Sequence, residues 1–395
     1  MSSKNKIYSS KDEINTEKLR CWLEINLSYL KNNIESIRNI ISENTDIISV
    51  VKANSYGLGA VQIAKYLSSI GIKYFAVATL EEALELRNSG EIKEEIIILS
   101  WTPVSEKETL IKNNFTQTLI DYQYAKKLSE LPGDLKCHLK IDTGMNRFGE
   151  SLEEIENIRA MYSLKNLNIT GIFSHLCRVR EFGEGPDNYT KMQIENFNII
   201  IEQLEKEGIK VGLKHIMNSF GILRFNDNKY DLVRPGLLMY GVSPDPNNEE
   251  IDKLLEEHNF RPVASLKCKV MTVKTIDKGE KVGYNSRFTA QEPTKIATIS
   301  IGYADGLSFA SSRNEFRVII KGHKCPVIGN VCMDNTIVKI PFDSDIQEGD
   351  IATLFGYIDN GDEHLNHKEF LSKSGAPIGE TFSRLGARIT RICHY

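Results

Sequence analysis

IISVVKANSYGLGAVQIAKYLSSIG, residues 47–71, is the stretch of sequence that decides the fold. It opens with an apolar run, residues 47–53, that is short enough for a buried strand. It continues with apolar residues at helical spacing from Ala60 to Ile70 and stops at Gly71, a typical helix terminator. A buried strand followed by an amphipathic helix is the repeating unit of a parallel α/β fold.

The same unit recurs along the chain. Further short apolar runs lie at residues 74–78, 95–100, 116–120, 137–141, 169–173, 213–216 and 230–233. Helical spacing fills residues 80–87 and 190–207, between these runs. Eight strands separated by helices predict an α/β barrel, (β/α)8. A doubly wound sheet is the alternative, but no G-x-G-x-x-G motif follows the first strand.

Beyond a polar connector that starts near Pro244, the pattern changes to short strands separated by Gly, Asp and Asn turns. The strand candidates are residues 265–273, 295–301, 317–320, 336–340 and 351–354. We therefore predict a polar N-terminal tail (1–20), a barrel domain (21–246) and a mostly β C-terminal domain (258–395).

Composition excludes several classes of protein. The chain has 395 residues, 41% of them hydrophobic, and a net charge of -4, which is unsuited to binding nucleic acid. No apolar stretch approaches the roughly 20 residues that cross a bilayer, and the polar N-terminus lacks the apolar region typical of a signal peptide. Seven scattered cysteines without a C-x-x-C pair argue against disulfides and zinc. We expect a cytoplasmic protein without a metal, nucleic-acid or membrane partner.

Lys52 is the first candidate for chemistry. Barrel active sites lie at the C-terminal ends of the strands, and Lys52 follows the first strand into a Gly-containing turn. Partial burial there would lower the pKa of its amine and make the amine a nucleophile able to hold a cofactor aldehyde as a Schiff base. The alternative is a lysine that extends into solvent.

The segment VVKANSYGLGA, residues 50–60, resembles the pyridoxal-phosphate lysine motif of the alanine racemases. Further segments resemble motifs of this family, in the family's order: LKIDTGMNRFG (139–149), GIFSH (171–175), NSFG (218–221), VRPGLLMYG (233–241), KVGYN (281–285), IGYADG (301–306) and NVCMDN (330–335). The resemblance extends from about Cys21 to the C-terminus. It implies a barrel followed by a β domain and an isomerase that interconverts L- and D-alanine with pyridoxal 5'-phosphate and supplies D-alanine for peptidoglycan.

The resemblance also implies a two-base mechanism in a homodimer whose active sites are shared between chains. Lys52 holds the cofactor and is one acid/base group. Tyr284, from the partner subunit, is the other and acts on the opposite face of the cofactor. A free tyrosine has a pKa of about 10, so His175 and Arg234 are expected to assist it. From the residues alone, a half-buried strand tyrosine is the alternative reading of Tyr284.

For the cofactor, the resemblance places Arg234 against the pyridine nitrogen. An arginine keeps its proton and leaves the ring unprotonated, which disfavours transamination. Tyr56, Ser219 and the backbone N–H groups of Gly236 and Leu237 are the implied phosphate ligands, with Ser219 at the start of a short helix. A loop salt bridge for Arg234 and a plain helix N-cap at 218–219 are the alternatives.

For the substrate, the resemblance assigns Arg147 to the carboxylate and to the cofactor's phenolic oxygen. The Met333 backbone N–H is a second carboxylate donor, and Tyr303 and Asp334 line the entrance from the partner subunit. Lys140 is a candidate for carbamylation, which would give Arg147 an anionic neighbour, and a Lys140–Asp pair is the alternative. Cys332 is interpreted as a packing residue.

Three positions depart from the family pattern: Leu58 replaces a frequent histidine, Asn330 stands where many members carry arginine, and Ala387 replaces a frequent tyrosine. The tyrosine lies near the phosphate and the substrate side chain. The serine/alanine racemases of vancomycin-resistance clusters also depart there, so serine or serine/alanine racemisation is the alternative function.

Two remote alternatives share the cofactor lysine. A fold-related amino-acid decarboxylase would carry a Glu-Pro-Gly-Arg-type phosphate motif and a cysteine-containing turn, whereas here Arg-Pro-Gly precedes the tyrosine of VRPGLLMYG. A non-catalytic, single-barrel pyridoxal-phosphate-binding protein would lack the second domain and Tyr284.

Overall fold

The computed structural model of the chain describes residues 7–8, 16–225, 230–243, 248–313, 316–358, 364–365, 370, 373 and 375–395. These residues form two compact units. The barrel unit comprises residues 34–55 and 63–239, and the β unit comprises the described residues up to 33, residues 56–62 and those from 240 onward. Within the described residues, no helix is both long enough and apolar enough to span a membrane.

An eight-stranded parallel sheet forms the barrel unit, which confirms the predicted fold. In sheet order the strands are Leu232–Val233, Asp46–Val50, Tyr74–Val77, Glu95–Ile98, Phe115–Leu119, Leu135–Lys140, Leu167–Phe173 and Leu213–His215. Each corresponds to one of the eight predicted runs. Asp231 and Lys214 link the two end strands of this order, Leu232–Val233 and Leu213–His215. The Asp231 amide donates to the Lys214 carbonyl at 3.0 Å, and the Asp231 carboxylate accepts from the Lys214 amide at 2.7 Å. The barrel is therefore nearly closed.

Helices alternate with these strands, as the apolar spacing predicts. The α-helices are Leu27–Ile40, Ala60–Ser69, Leu80–Asn88, Lys107–Lys112, Tyr122–Ser129, Ile155–Tyr162, Glu184–Lys206, Ser219–Arg224, Glu249–Glu257 and Ile378–Ser383. Short 3-10 turns lie at Thr16–Lys18, Val104–Glu106, Leu152–Glu154, Leu237–Tyr240, Tyr284–Ser286, Tyr303–Asp305 and Phe309–Ser312. Side-chain caps such as Asp121, which accepts from the Tyr124 amide at 2.7 Å, fix where helices begin.

The β unit is built on a ten-stranded sheet, in agreement with the predicted mostly β C-terminal domain. Its strands are Ile7–Tyr8, Cys21–Asn26, Ala264–Ile276, Thr294–Ile299, Arg317–Ile320, His323–Pro326, Thr336–Lys339, Ile351–Tyr357, His364–Leu365 and Thr390–His394. A separate hairpin pairs Lys281–Val282 with Phe288–Thr289. Around the hairpin, Ile276, Val282, Ala290, Ile296 and Ile328 form a buried apolar cluster.

The strand Cys21–Asn26 lies in the sheet of the β unit, although the sequence assigns residue 21 onward to the barrel. It pairs antiparallel with residues 264–268 and parallel with residues 390–394. A short apolar strand followed at once by the helix Leu27–Ile40 has the local pattern of a barrel unit, and its partners are hundreds of residues away. The predicted boundary at residue 246 lies outside the described residues, as does most of the predicted tail, of which Ile7–Tyr8 pairs with residues 391–392.

Candidate active site

Lys52 follows the barrel strand Asp46–Val50 and is half-buried. Burial lowers the pKa of its amine below the usual 10.5, and the positive charges of Arg147 and Arg234 lower it further, while Glu82 opposes them. The direction of this shift makes the neutral, nucleophilic amine more available at neutral pH. The site thus provides what a Schiff-base lysine needs.

The turn after Lys52 has an unusual backbone. Ala53, Asn54, Ser55 and Tyr56 all lie in the left-handed region, with φ between 52° and 55°, and Gly57 follows at φ 85°. Each non-glycine residue there costs roughly 1–2 kcal/mol. A strained segment next to a reactive side chain persists only where its surroundings hold it. The predicted strand-to-turn transition at Lys52 is correct, but the sequence gives no sign of this conformation.

Glu82 holds the start of this turn. Its carboxylate accepts from the Ala53 amide at 2.6 Å and from the Ala78 amide at 2.7 Å. Ala78 follows the neighbouring barrel strand Tyr74–Val77. Glu82 was not singled out from the sequence, because Thr79-x-x-Glu82 has the form of an ordinary capping box.

Arg234 is fully buried and lies at the centre of a polar chain. Its Nη1 donates to Nδ1 of His215 at 2.7 Å, and Nε2 of His215 lies 2.9 Å from Nδ1 of His138. Burial lowers the pKa of Arg234 only to about 9, so the guanidinium remains charged at neutral pH. Burial and this charge lower the pKa of His138 to about 3 and that of His215 well below 6.5, so both imidazoles are neutral.

The arginine therefore fixes both histidine tautomers. Because Nδ1 of His215 accepts from Arg234, its Nε2 carries the proton and donates to His138. His138 must then carry its own proton on Nε2, which has no hydrogen-bond partner among the described residues. Gly171 leaves room for this ring, since a Cβ at that position would lie 2.6 Å from Nε2 of His138. Sequence reasoning missed both histidines because buried strand histidines are common in cores.

His175 lies beside Arg234, as predicted. Its Nδ1 is 3.4 Å from Nη2 of the arginine, which also donates to the Ser174 carbonyl at 2.6 Å. Burial is the main cause that lowers the pKa of His175 well below 6.5, and the cations Arg234 and Lys140 add to it. His175 is consequently a neutral imidazole in a strongly positive environment.

Lys140 ends a barrel strand and is buried with its Nζ 2.5 Å from the Ile141 carbonyl. Burial first, and then the charge of Arg234, lower the pKa of its amine to about 7. No described acidic residue forms an ion pair with it, and Oδ1 of Asp142 accepts from three backbone amides instead. The predicted alternative of a Lys140–Asp side-chain pair is therefore not what the structure shows.

Arg147 is exposed on the loop after this strand, and its guanidinium lies 5.8 Å from the ring centroid of Phe148. Its guanidinium makes no hydrogen bond to the part of the chain that the structure describes. Its charge nevertheless acts on Lys52, Lys140 and His175, so it lies near all three. An unpaired guanidinium next to a reactive lysine can receive a carboxylate.

Ser219 and Gly236 meet at another strand end. Ser219 begins the predicted short helix, capped by Asn218, which accepts from the Gly221 amide at 3.1 Å. The Ser219 hydroxyl accepts from the amides of Gly236 at 2.9 Å and Leu238 at 3.3 Å. One hydroxyl and adjacent backbone amides are donors suited to a phosphate. The predicted Leu237 lies between these two amides.

Tyr56 belongs to the β unit, where its ring contacts that of Tyr240 at 5.7 Å between centroids. Burial raises the pKa of its hydroxyl to about 12, so it remains a hydrogen-bond donor. Leu58, the first departure from the family pattern, is completely buried and packs as an apolar core residue.

The β unit brings the other predicted residues together in pairs. The Tyr303 amide donates to the Cys332 carbonyl at 3.0 Å, next to Met333, and the Asn330 side chain donates to the Tyr284 carbonyl at 3.0 Å. Arg388, which follows the exposed Ala387, donates to Asp334 at 2.7 Å. Tyr284 is 71% exposed, Met333 53% and Tyr303 44%, so the single chain leaves all three accessible.

Within the described residues, no group of histidine, cysteine and acidic side chains could hold a metal ion. All seven cysteines are free thiols. Cys332 accordingly has no metal partner in the described part of the chain, and burial raises its pKa, which disfavours the thiolate.

Comparison with known proteins matches two family models to the chain. Residues 25–244 match "Alanine racemase, N-terminal domain" and residues 263–393 match "Alanine racemase, C-terminal domain". The chain is 36% identical over 375 residues to the alanine racemase of Carboxydothermus hydrogenoformans, covering 94% of this chain and 98% of that one. It is also 35% identical over 374 residues to an "Amino-acid racemase" of Enterococcus faecalis, matching 94% of this chain and about half (51%) of that protein.

Two solved structures are similar to the chain. The alanine racemase of Bacillus anthracis with bound L-Ala-P has a TM-score of 0.87 at 29% identity and covers 95% of both chains. The alanine racemase of Bartonella henselae with covalently bound pyridoxal phosphate has a TM-score of 0.81 at 27% identity, with coverage of 95% of this chain and 99% of that one.

Proposed function

Because this chain belongs to the alanine racemase family, a family of pyridoxal-phosphate-dependent isomerases, we propose that it interconverts L- and D-alanine with Lys52 and Tyr284 as the two proton carriers. The observation that carries the proposal is the desolvated amine of Lys52, whose pKa is lowered by burial and by two nearby guanidinium groups. Such an amine can hold a cofactor aldehyde and can also exchange a proton near neutral pH.

The residues present fit pyridoxal phosphate. Its aldehyde needs an amine, its ring nitrogen a donor and its phosphate several N–H and O–H groups. Lys52 would supply the amine and Arg234 the donor to the ring nitrogen. The phosphate would be bound by Ser219, Gly236 and Leu237, with Tyr56 as a further ligand. When bound, the cofactor supplies a ring that accepts electron density as the Cα proton leaves the amino acid.

Arg234 would act on the ring through one donor. Its hydrogen bonds to the described residues all use Nη1 and Nη2. Their partners are His215, Ser174, His175 and Ile216. This leaves Nε–H available to an unprotonated ring nitrogen. Because the guanidinium stays charged at neutral pH, it donates without giving up its proton. The neutral histidine pair keeps the guanidinium in place.

The two proton carriers would work from opposite faces. Lys52 exchanges the Cα proton on one side through its amine. Tyr284 would do so on the other from the partner subunit of a homodimer, and its 71% exposure in the single chain supports that assignment. Tyr303, Met333 and Asp334 would reach the site from the same partner. Arg147 would bind the substrate carboxylate through its unoccupied guanidinium.

Lys140 is a candidate for carbamylation. Carbon dioxide reacts with a neutral amine, and the pKa of about 7 leaves much of Lys140 neutral under ordinary conditions. The product is an anion, which would pair with Arg147 and relieve the repulsion between the two cations. Without that anion, Lys140 remains one of several positive charges in the same site.

The cellular role follows from the reaction proposed. D-alanine is a building block of peptidoglycan, so the enzyme would supply cell-wall synthesis from the cytoplasm. The chain is expected to work as a homodimer, since the resemblance to the family assigns Tyr284 to the active site of a partner subunit.

The test identifies the lysine that binds the cofactor and asks whether racemisation depends on the same residue. Borohydride reduction of the cofactor-loaded enzyme should fix the cofactor on one peptide, the one that contains Lys52. Lys52→Ala should abolish both this adduct and racemisation of alanine, measured by circular dichroism. Labelling of a different lysine, or a fully active Lys52→Ala enzyme, would refute the assignment.

Serine, or serine and alanine together, is the second candidate substrate. Ala387 is exposed and small where many family members carry tyrosine, which leaves room for a hydroxymethyl group. A relative of this chain is called an amino-acid racemase without a stated substrate. Initial rates on both enantiomers of alanine and serine separate the two candidates, because an enzyme specific for alanine would show negligible serine racemisation.

A further inference from the structure

The left-handed turn after Lys52 is held at both ends by charged side chains. Glu82 accepts the amide of Ala53, the first residue of the turn, at 2.6 Å. Arg391 donates to the carbonyl of Gly57, its last residue, through Nε at 3.1 Å and Nη2 at 2.8 Å. The first contact lies within the barrel unit and the second within the β unit.

Glu82 does not make the hydrogen bond that a glutamate makes in a helix capping box. In a T-x-x-E capping box, the glutamate bonds the amide of the N-cap residue, here Thr79. Glu82 instead divides its two oxygens between Ala53 and Ala78, the residue before Thr79. Helix capping alone does not explain this geometry. The carboxylate connects the turn that follows Lys52 to the end of the adjacent strand.

Arg391 is 1% exposed, and its partners among the described residues are all backbone carbonyls. Besides Gly57 it donates to Leu385 at 2.7 Å, Gly386 at 2.6 Å and Ile389 at 2.7 Å. A buried guanidinium without a carboxylate is costly, and burial lowers its pKa to about 10. Its five hydrogen bonds join the turn to residues 385–389, which include Ala387.

Two glycines near these contacts have no room for a side chain, because the backbone of another segment packs against them. A Cβ at Gly57 would lie 2.0 Å from the Phe382 carbonyl oxygen, and a Cβ at Gly306 would lie 2.5 Å from the Arg384 carbonyl oxygen. The backbone of residues 382–385 thus packs against Gly57 and against Gly306, which follows the 3-10 turn Tyr303–Asp305. Movement of the left-handed turn at Gly57 would require this backbone to move as well.

We propose that Glu82 and Arg391 are positioning residues for the racemisation: they hold the strained turn at its first amide and its last carbonyl, and so fix the Lys52 amine relative to the substrate Cα. The inference rests on the proposed function. Neither side chain exchanges a proton itself. Loss of either contact should let the turn relax toward ordinary backbone angles and displace the amine.

The test uses cofactor-loaded Glu82→Gln and Arg391→Lys enzymes with α-deuterated L- and D-alanine. Glutamine keeps the shape but offers only one acceptor, and lysine keeps the charge but cannot span four carbonyls. A misplacement near 1 Å costs about 100-fold in rate, so kcat should fall about 10- to 100-fold while KM changes much less. The primary isotope effect should rise in one direction only, because Lys52 serves one face and Tyr284 the other.

Lys107→Met is the matched control. Lys107 is also a buried cation whose hydrogen bonds, within the described residues, go to carbonyls. These are the carbonyls of Leu128, Leu131 and Asn166, and Lys107 is not part of the proposed site. Its loss should lower the melting temperature and leave both isotope effects unchanged. If Arg391→Lys does not fold, Glu82→Gln carries the test alone.

The results separate the two proposals. A parent enzyme that does not racemise alanine refutes the proposed function itself. An active parent, with isotope effects in the variants that match the parent or rise equally in both directions, refutes the positioning role. An increase in one direction in each variant that folds, absent from Lys107→Met, supports it.

Discussion

Replacing Lys140 by methionine should stabilise the folded chain at neutral pH. Lys140 is buried, and its amine has a pKa of about 7 when folded, against 10.5 when unfolded. Below pH 7 this difference costs the folded state at most about 5 kcal/mol. Methionine has a similar length, and the Ile141 carbonyl that loses Nζ still accepts from the Ser174 hydroxyl at 2.8 Å. Allowing about 1 kcal/mol for the lost hydrogen bond, we expect a gain of about 2–4 kcal/mol.

The gain has a defined pH dependence. Between pH 7 and 10.5 the unfolded amine is protonated and the folded amine is neutral, so the unfolded state binds the extra proton. The stability of the parent therefore rises with pH through this window. Methionine has no such group, so the advantage of Lys140→Met should shrink steadily from pH 7 and vanish near pH 10.5.

Thermal unfolding of the cofactor-free chain measures the gain in stability, because 1 kcal/mol shifts the melting temperature by about 2–4 °C for a unit of this size. Lys65→Met, which removes an exposed lysine paired with Glu91, is the control and should shift the melting temperature little at any pH. Bicarbonate should reduce the gain by carbamylating the parent. A variant no more stable than the parent at pH 7, or a gain that does not change with pH, would refute the burial argument.

Four further outcomes are expected. Tyr284→Phe should lower racemisation by orders of magnitude while the cofactor stays bound, as absorbance shows, and near-normal activity would leave Tyr284 a structural residue. Co-expression of inactive Lys52→Ala and Tyr284→Phe chains should restore part of the activity, whereas purified mixed dimers without activity would mean that each site lies within one chain. Ala387→Tyr should shift the ratio of kcat/KM toward alanine over serine, by up to about 1–3 kcal/mol of discrimination, and an unchanged ratio would exclude a specificity role. His215→Leu removes the acceptor that holds Arg234 and should weaken binding of the cofactor by about tenfold, measured by titration, while equal affinity would show that the carbonyl contacts suffice.

The barrel could be predicted from sequence because each of its strands and helices is marked by a pattern of neighbouring residues. Each strand is a short run, and seven of the eight are followed by an α-helix, the exception being Leu232–Val233, which a 3-10 turn follows. Most units can therefore be recognised within about 30 residues. Lys52, at the end of one such run, was located by the same reasoning. The resemblance to a family added roles for residues whose own pattern is weak, such as Tyr284.

What the sequence did not reveal depends on contacts between distant residues. His138 and His215 lie on separate strands, and only the closed sheet brings their rings together. Glu82 has the local pattern of a helix cap, and Arg391 resembles any basic residue in a β-strand. Four of the five residues of the left-handed turn, Ala53 to Tyr56, are not glycine, so no composition rule marks it. The strand Cys21–Asn26 resembles a barrel strand until its partners, residues 264–268 and 390–394, are known.

The position of that strand has a consequence for biosynthesis. Residues 21–26 leave the ribosome long before the strands that flank them, residues 264–268 and 390–394, have been made. The barrel unit needs nothing beyond residue 239 for its own sheet and can fold during translation. The early strand must meanwhile remain unpaired, with two open edges available for wrong pairing. Chaperone dependence and aggregation of nascent chains should therefore arise in the β unit, and the emergence of residues 390–394 should be the step that ends this exposure.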